Sequence, residues 1–106
     1  MLRVLATVIA TASFAAFAAE GDINVSIENH RFTPDRIEVA AGKKVKLVID
    51  NRDATAEEFE SHDLKIEKVI PGKSRGSVFV GPLKAGEYKF VGEFNEKTAK
   101  GVIVAK

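Results

Sequence analysis

The stretch Tyr88-Lys89-Phe90-Val91-Gly92-Glu93-Phe94-Asn95-Glu96-Lys97-Thr98-Ala99-Lys100-Gly101-Val102-Ile103-Val104 decides how this chain folds. Tyr88 and Phe90 flank Lys89, and Val102 and Val104 repeat the same spacing near the chain end. Side chains on an extended strand point alternately to its two faces, so this rhythm marks strands with one face in a core. The segment reads as strand, loop, strand.

The rhythm continues upstream. Ile23, Val25 and Ile27 alternate with Asn24, Ser26 and Glu28. Val45, Leu47 and Ile49 alternate with Lys44, Lys46 and, less cleanly, Val48, while Leu64 and Ile66 alternate with Lys65 and Glu67. Thr33-Pro34-Asp35, Ala41-Gly42-Lys43, Asn51-Arg52-Asp53, Ile70-Pro71-Gly72, Gly81-Pro82 and Ala85-Gly86 supply residues suited to sharp reversals. Short strands punctuated about every eight to twelve residues predict an all-β, antiparallel Greek-key β-sandwich of about seven or eight strands. No helical stripe of useful length follows Ala19, although Ala54–Phe59 admits one helical turn. Residues 22–106 carry no linker or repeat and make one domain.

The first residues read differently. Met1-Leu2-Arg3 is a short positive start, Val4–Phe17 is uncharged and largely apolar, and Ala16-Phe17-Ala18 is a small-x-small cleavage pattern. This predicts a signal peptide, residues 1–18, removed after Ala18, and hence export to the periplasm. A run of about 14 residues is shorter than the roughly 20 that span a bilayer, so no membrane insertion is expected after cleavage. Arg3 is one of 16 basic residues, so the 15 that remain balance the 15 acidic ones. Nothing in that balance favours nucleic acid or a polybasic membrane contact. The chain has no cysteine, so packing alone must hold its core. The local anomaly is acidic: Asp50, Asp53, Glu57, Glu58, Glu60 and Asp63 crowd residues 50–63 against Arg52.

Residues 88–104 resemble the C-terminal strand–loop–strand of cupredoxins. There a Tyr-x-Phe-x-Cys run leads to a His and then to a Met before a Gly and the last strand. In that alignment the Cys position falls on Gly92, the His on Asn95 and the Met on Ala99. Phe32-Thr33-Pro34-x-x-Ile37-x-Val39-x-x-Gly42 resembles the family's core Phe, Pro and following strand, and Val45–Asn51 with Asp53 and Phe59 is similar to the strand carrying its first copper histidine. That histidine's position, two residues before the core aromatic, falls on Glu57. A type 1 copper site needs a thiolate and two imidazoles, which a chain without cysteine does not supply. Glu58-Phe59-Glu60 and Ile66-Glu67-Lys68-Val69-Ile70-Pro71-Gly72 further resemble the EfeO-type cupredoxin domains of bacterial periplasmic iron-uptake systems. That resemblance implies iron or copper handling beside a membrane iron permease or a periplasmic iron-binding protein, although the cysteines of those domains are missing here.

The candidate ligands are Glu57, Glu58, Glu60, His62, Glu67 and Glu93. On an extended strand Glu58, Glu60 and His62 share one face, and Glu57 and Phe59 share the other. Two carboxylates and an imidazole suit iron, and equally Zn²⁺, Cu²⁺ or Mn²⁺. Sequence does not choose between this register and the one that puts Glu57 at the metal end. Glu67 matches the glutamate of the iron-uptake relatives, and Glu93, beside Gly92, would bring a hard oxygen donor. The plainer reading makes these glutamates a solvated face paired with lysines of neighbouring strands. Asn95 would donate a hydrogen bond to Glu93 or cap a turn, and His30 reads as a loop histidine. Phe32, Phe59, Phe79, Tyr88 and Phe90 read as core, as do Ile66 and Val69, and Phe94 as a loop residue placed to cover the metal end.

Two functions compete. One is a metal-binding accessory of iron uptake that binds ferrous iron or assists its oxidation. The other is a metal-free cupredoxin-fold adaptor whose acidic stretch steers a basic envelope protein. No Ser/His/Asp arrangement or phosphate-binding glycine loop supports hydrolytic chemistry.

Overall fold

Alternating burial builds the core from both faces of a sandwich. The computed structural model describes residues 21–106, so the expected signal peptide lies outside the described residues. The strands are β1 (Ile23–Glu28), β2 (Arg31–Thr33), β3 (Arg36–Val39), β4 (Val45–Asn51), β5 (Glu57–Ser61), β6 (Ile66–Ile70), β7 (Ser74–Val80), β8 (Gly86–Gly92) and β9 (Lys100–Ala105). A 3-10 turn, Glu93–Asn95, follows β8. One sheet runs β2-β1-β4-β7 and the other β3-β9-β8-β5-β6.

The all-β sandwich expected from the sequence is thus present, with three differences in detail. The described residues form nine strands, because the three-residue β2 is too short to show alternation. The sheets are mixed: β1 runs parallel to β4 and β3 parallel to β9. Ala54–Phe59 forms no helical turn, and its last residues open β5.

β4 shows the logic most cleanly, with Val45, Leu47, Ile49 and Asn51 inward and the residues between them half-buried. An aromatic trio centres the core. Phe32 meets Phe90 edge-on at 4.9 Å between ring centres and Phe59 at 6.0 Å, and Phe59 lies 4.9 Å from Phe90. Such pairs add to the area term in holding two sheets together. Phe79, expected in the core, is instead 56% exposed, with the Lys44 ammonium 4.8 Å from its ring centre. It alternates outward between Val78 and Val80, which are the buried members of β7. Val69 is likewise exposed, because in β6 the inward residue at that end is Ile70.

Polar side chains fasten the loops. Asn51, fully buried, donates from Nδ2 towards the carbonyls of Thr55 and Ile70 at 2.9 and 3.0 Å and accepts the Asp53 N–H on Oδ1. Asp53 then closes the β1–β2 hairpin. Asn29 and His30 both sit at positive φ, 56° and 58°, as a tight hairpin turn requires, and both direct their N–H groups at the Asp53 carboxylate at 2.8 and 2.9 Å. The His30 N–H, before any other cause, holds the Asp53 carboxyl below its ordinary value. A depressed folded value contributes stability above the unfolded value and loses it as pH falls. Asp53→Ala is therefore expected to cost about 2 kcal/mol at neutral pH, with a smaller difference in acid, read from urea unfolding. Equal losses at pH 7 and pH 3 would refute the charge-assisted part.

Candidate metal centre

Strand parity sorts the glutamates of β5. Glu57, Phe59 and Ser61 face the core, and Glu58 and Glu60 face outward. Across the sheet Glu60 pairs with Glu67 of β6 and with Val91 of β8, and Glu58 pairs with Val69. The chain leaves β8 at Gly92 and turns at once, which brings Glu93 back over the outer face of β5. One oxygen each of Glu58, Glu60 and Glu93 then lie within 4.8 Å of one another. The His62 Nε2, just past the end of β5, is 3.5 Å from Glu60 Oε2; its side chain is 85% exposed and it stands beside the three-carboxyl set, not within it.

The electrostatics of this cluster are unbalanced. Glu60 is only 6% exposed. Among the described residues no lysine or arginine forms an ion pair with Glu58, Glu60, Glu67 or Glu93. The lysine-paired face that the plainer reading expects is therefore not what the strands build. With no lysine or arginine at hand, like charges retain protons. The hydrogen bond with Glu93 pushes Glu58 up to about 7, and the same partner raises Glu60. Glu93 moves down, because its neighbours donate to it.

Glu57 lies apart from these three, on the inner side of β5 and 2% exposed. Its Oε1 accepts the N–H groups of Glu58 and Phe94 at 2.9 and 2.8 Å, and its Oε2 accepts Asn95 Nδ2 at 2.8 Å. Asn95 thus donates to Glu57 and not to Glu93. The Asn95 carbonyl accepts from Thr98 and Ala99, and Gly92 N–H donates to the Ala99 carbonyl at 2.9 Å, which closes the 92–99 loop on itself. His30 belongs to the hairpin turn, where its carbonyl accepts the Thr98 hydroxyl at 2.6 Å. Phe94 is 54% exposed at the loop surface.

Glu57, Gly92, Asn95 and Ala99 are the positions that the cupredoxin alignment matches to copper ligands, and the fold does bring them together. They do not fit such a centre. None offers sulfur or imidazole, and a Cβ added at Gly92 would stand 2.6 Å from Glu57 Cδ and 2.7 Å from Ala99 Cβ. The space a thiolate would need is filled by the Glu57 carboxyl group. The polar loop residues that achieve this, Asn95 above all, carry no periodic signal; only their placement beside Glu57 reveals the role.

Comparison with known proteins agrees with this architecture. A reduced amicyanin variant superposes with a TM-score of 0.67 at 20% identity, covering 87% of this chain and 89% of that one. The metal-binding domain of the Cu(I)-exporting P-type ATPase CopA of Streptococcus pneumoniae D39, solved with Cu(I), gives 0.68 at 16% identity, covering 80% and 84%. These likenesses concern the fold. An uncharacterized protein of Rickettsia prowazekii (strain Madrid E) is 40% identical over 83 residues, which are 78% of this chain and 66% of that protein. The chain so spans just under two thirds of that relative's length. The model of the family described as cupredoxin-like domain matches residues 1–105, and with the two-sheet fold and the converging ligand positions this makes the chain a member of the cupredoxin-like domain family.

Proposed function

We infer that this protein binds a hard divalent or trivalent cation, iron foremost, on the outer face of β5. Glu58, Glu60 and Glu93 are the oxygen donors, with His62 beside them and Glu67 as a further charge across the strand. The observation that carries this reading is the convergence of three carboxyl groups with no lysine or arginine paired to them among the described residues, one of them on a buried residue. Oxygen donors in place of sulfur move metal preference from Cu(I) towards iron or Mn²⁺, and an adjacent imidazole keeps Cu²⁺ and Zn²⁺ within reach. The resemblance to EfeO-type domains and the signal-like leader support a periplasmic role, in which the protein holds ferrous iron, or assists its oxidation, for a membrane permease or an iron-binding partner.

Calorimetric titration of the mature protein with Fe²⁺ under anaerobic conditions, and with Cu²⁺, Mn²⁺ and Zn²⁺, tests the reading. Micromolar or tighter binding is expected, weakened roughly tenfold in His62→Ala as the imidazole beside the set is lost. Binding no tighter than millimolar, with wild type and His62→Ala alike, would remove it.

A metal-free adaptor role is the second reading, favoured by the exposed Phe94 ring beside an acidic face. An envelope protein retained in the presence of chelator and released by salt would favour it.

A further inference from the structure

The Glu57 carboxyl group fills the place where a cupredoxin would hold its metal, and it ties together the same two segments. Its Oε1 accepts from the Glu58 amide on β5 and from the Phe94 amide just after Glu93. One buried oxygen so bridges the backbones that carry Glu58 and Glu93, whose side chains leave on the other face of the sheet. Its Oε2 takes Asn95 Nδ2, which fixes the turn from its far end. Gly92 completes the fit, because any side chain there would collide with this carboxyl group.

We propose that Glu57 is a positioning residue for the outer cation site: it is an internal substitute for the family's metal, and it sets the spacing between Glu58 and Glu93 without touching the ion. This rests on the cation reading above and goes beyond it, since it assigns to a side chain on the inner face the preorganisation of donors on the outer one. Sequence alignment alone would have made Glu57 a ligand. Its three hydrogen bonds use both carboxyl oxygens inside the protein, and its burial takes it away from the cluster.

The distinction is measurable. Mn²⁺ titration and amide hydrogen exchange are compared for wild type, Glu57→Gln, Glu57→Ala and the direct-donor variant Glu93→Gln. A glutamine at 57 keeps one oxygen for the two amides, and the Asn95 amide can turn its own oxygen towards the new Nε2. Glu57→Gln is therefore expected to bind Mn²⁺ within about threefold of wild type. Glu57→Ala is expected to bind about 10- to 100-fold more weakly, the usual cost of losing a group that orients a ligand. In the metal-free protein its Phe94 amide should exchange about 10- to 100-fold faster, as the loss of a hydrogen bond to a carboxyl group implies, while core amides of β4 stay protected.

Should Glu57→Ala not fold, Asn95→Ala removes the Oε2 bond alone and is expected to weaken Mn²⁺ binding by about threefold to tenfold. Unchanged Phe94 exchange in Glu57→Ala would overturn the tie itself, whatever the metal does. Faster Phe94 exchange with undiminished Mn²⁺ affinity would overturn the positioning role. A wild-type protein that binds no Mn²⁺ or iron would overturn the cation reading and the positioning role with it, leaving the exchange result to decide the structural tie separately.

Discussion

Phe59→Ala should remove a large share of the stability of this domain. Phe59 is fully buried, lies 4.9 Å from Phe90 and 6.0 Å from Phe32 between ring centres, and stands opposite Gly92 on β8. Truncating a buried phenylalanine costs about 3–5 kcal/mol, from lost transfer energy and from the cavity left behind. Collapse into that cavity is restricted. Phe90 is braced from behind by Gly101, whose missing side chain is what lets the ring sit against β9. A domain of this size has a total of only about 5–15 kcal/mol, and this one has no disulfide to reinforce it. Urea unfolding followed by circular dichroism is expected to show a midpoint well below that of the wild-type protein, lowered in proportion to the loss of about 3–5 kcal/mol. Phe79→Ala provides the contrast: on the exposed face of β7 it should change stability by no more than about 0.5 kcal/mol. Similar losses for the two variants would contradict the packing described.

That contrast shows which parts of the fold were legible in the sequence. Period-two alternation located β1, β4 and β8, where apolar residues occupy every second position, but it put β9 at the wrong parity: Ile103, between Val102 and Val104, is the residue fully buried in the core, and the apolar run Val102–Ala105 hides that phase. It missed β2, which has three residues, and it gave no warning about β7, whose first half is Ser74-Arg75-Gly76-Ser77. The parallel pairings β1–β4 and β3–β9 were invisible, since alternation fixes which face a residue takes and not which strand lies beside it. Parity did separate Glu58 and Glu60 from Glu57. What it could not supply was the approach of Glu93, which is distant in sequence from both and depends on how sharply the chain turns after Gly92. Nor could it show that Glu57 is saturated by backbone and Asn95 donors, because two of the three, the Phe94 amide and Asn95 Nδ2, come from the loop after β8.

Glu93→Gln is expected to remove two properties at once, a pH dependence of stability and the affinity for a cation. In the wild-type protein Glu58 is pushed up to about 7 and Glu60 is raised, in both cases first through the hydrogen bond with Glu93. A carboxyl group that holds its proton more tightly when folded favours the folded state below its ordinary value of 4.5, and that advantage is lost as pH rises through about 7. Glu93 itself moves down and acts with the opposite sign, but at pH below 4.5. The metal-free protein should therefore melt at a lower temperature at pH 8 than at pH 5. Excess Mn²⁺ should restore the midpoint at pH 8, because a bound ion takes the place of the shared proton. The same competition makes cation affinity rise with pH, by up to about tenfold per unit while one proton is displaced. With glutamine at 93 the charge that drives the upward shifts is gone and one donor oxygen cannot ionise. The slope between pH 5 and 8 should flatten, and Mn²⁺ affinity should fall by about 100-fold, the upper end of what losing even an orienting neighbour costs. Calorimetric melting of both proteins across that range, with and without Mn²⁺, measures all of this together. Parallel melting curves for wild type and Glu93→Gln, shifted equally or not at all by the ion, would mean that the three carboxyl groups share neither proton nor metal.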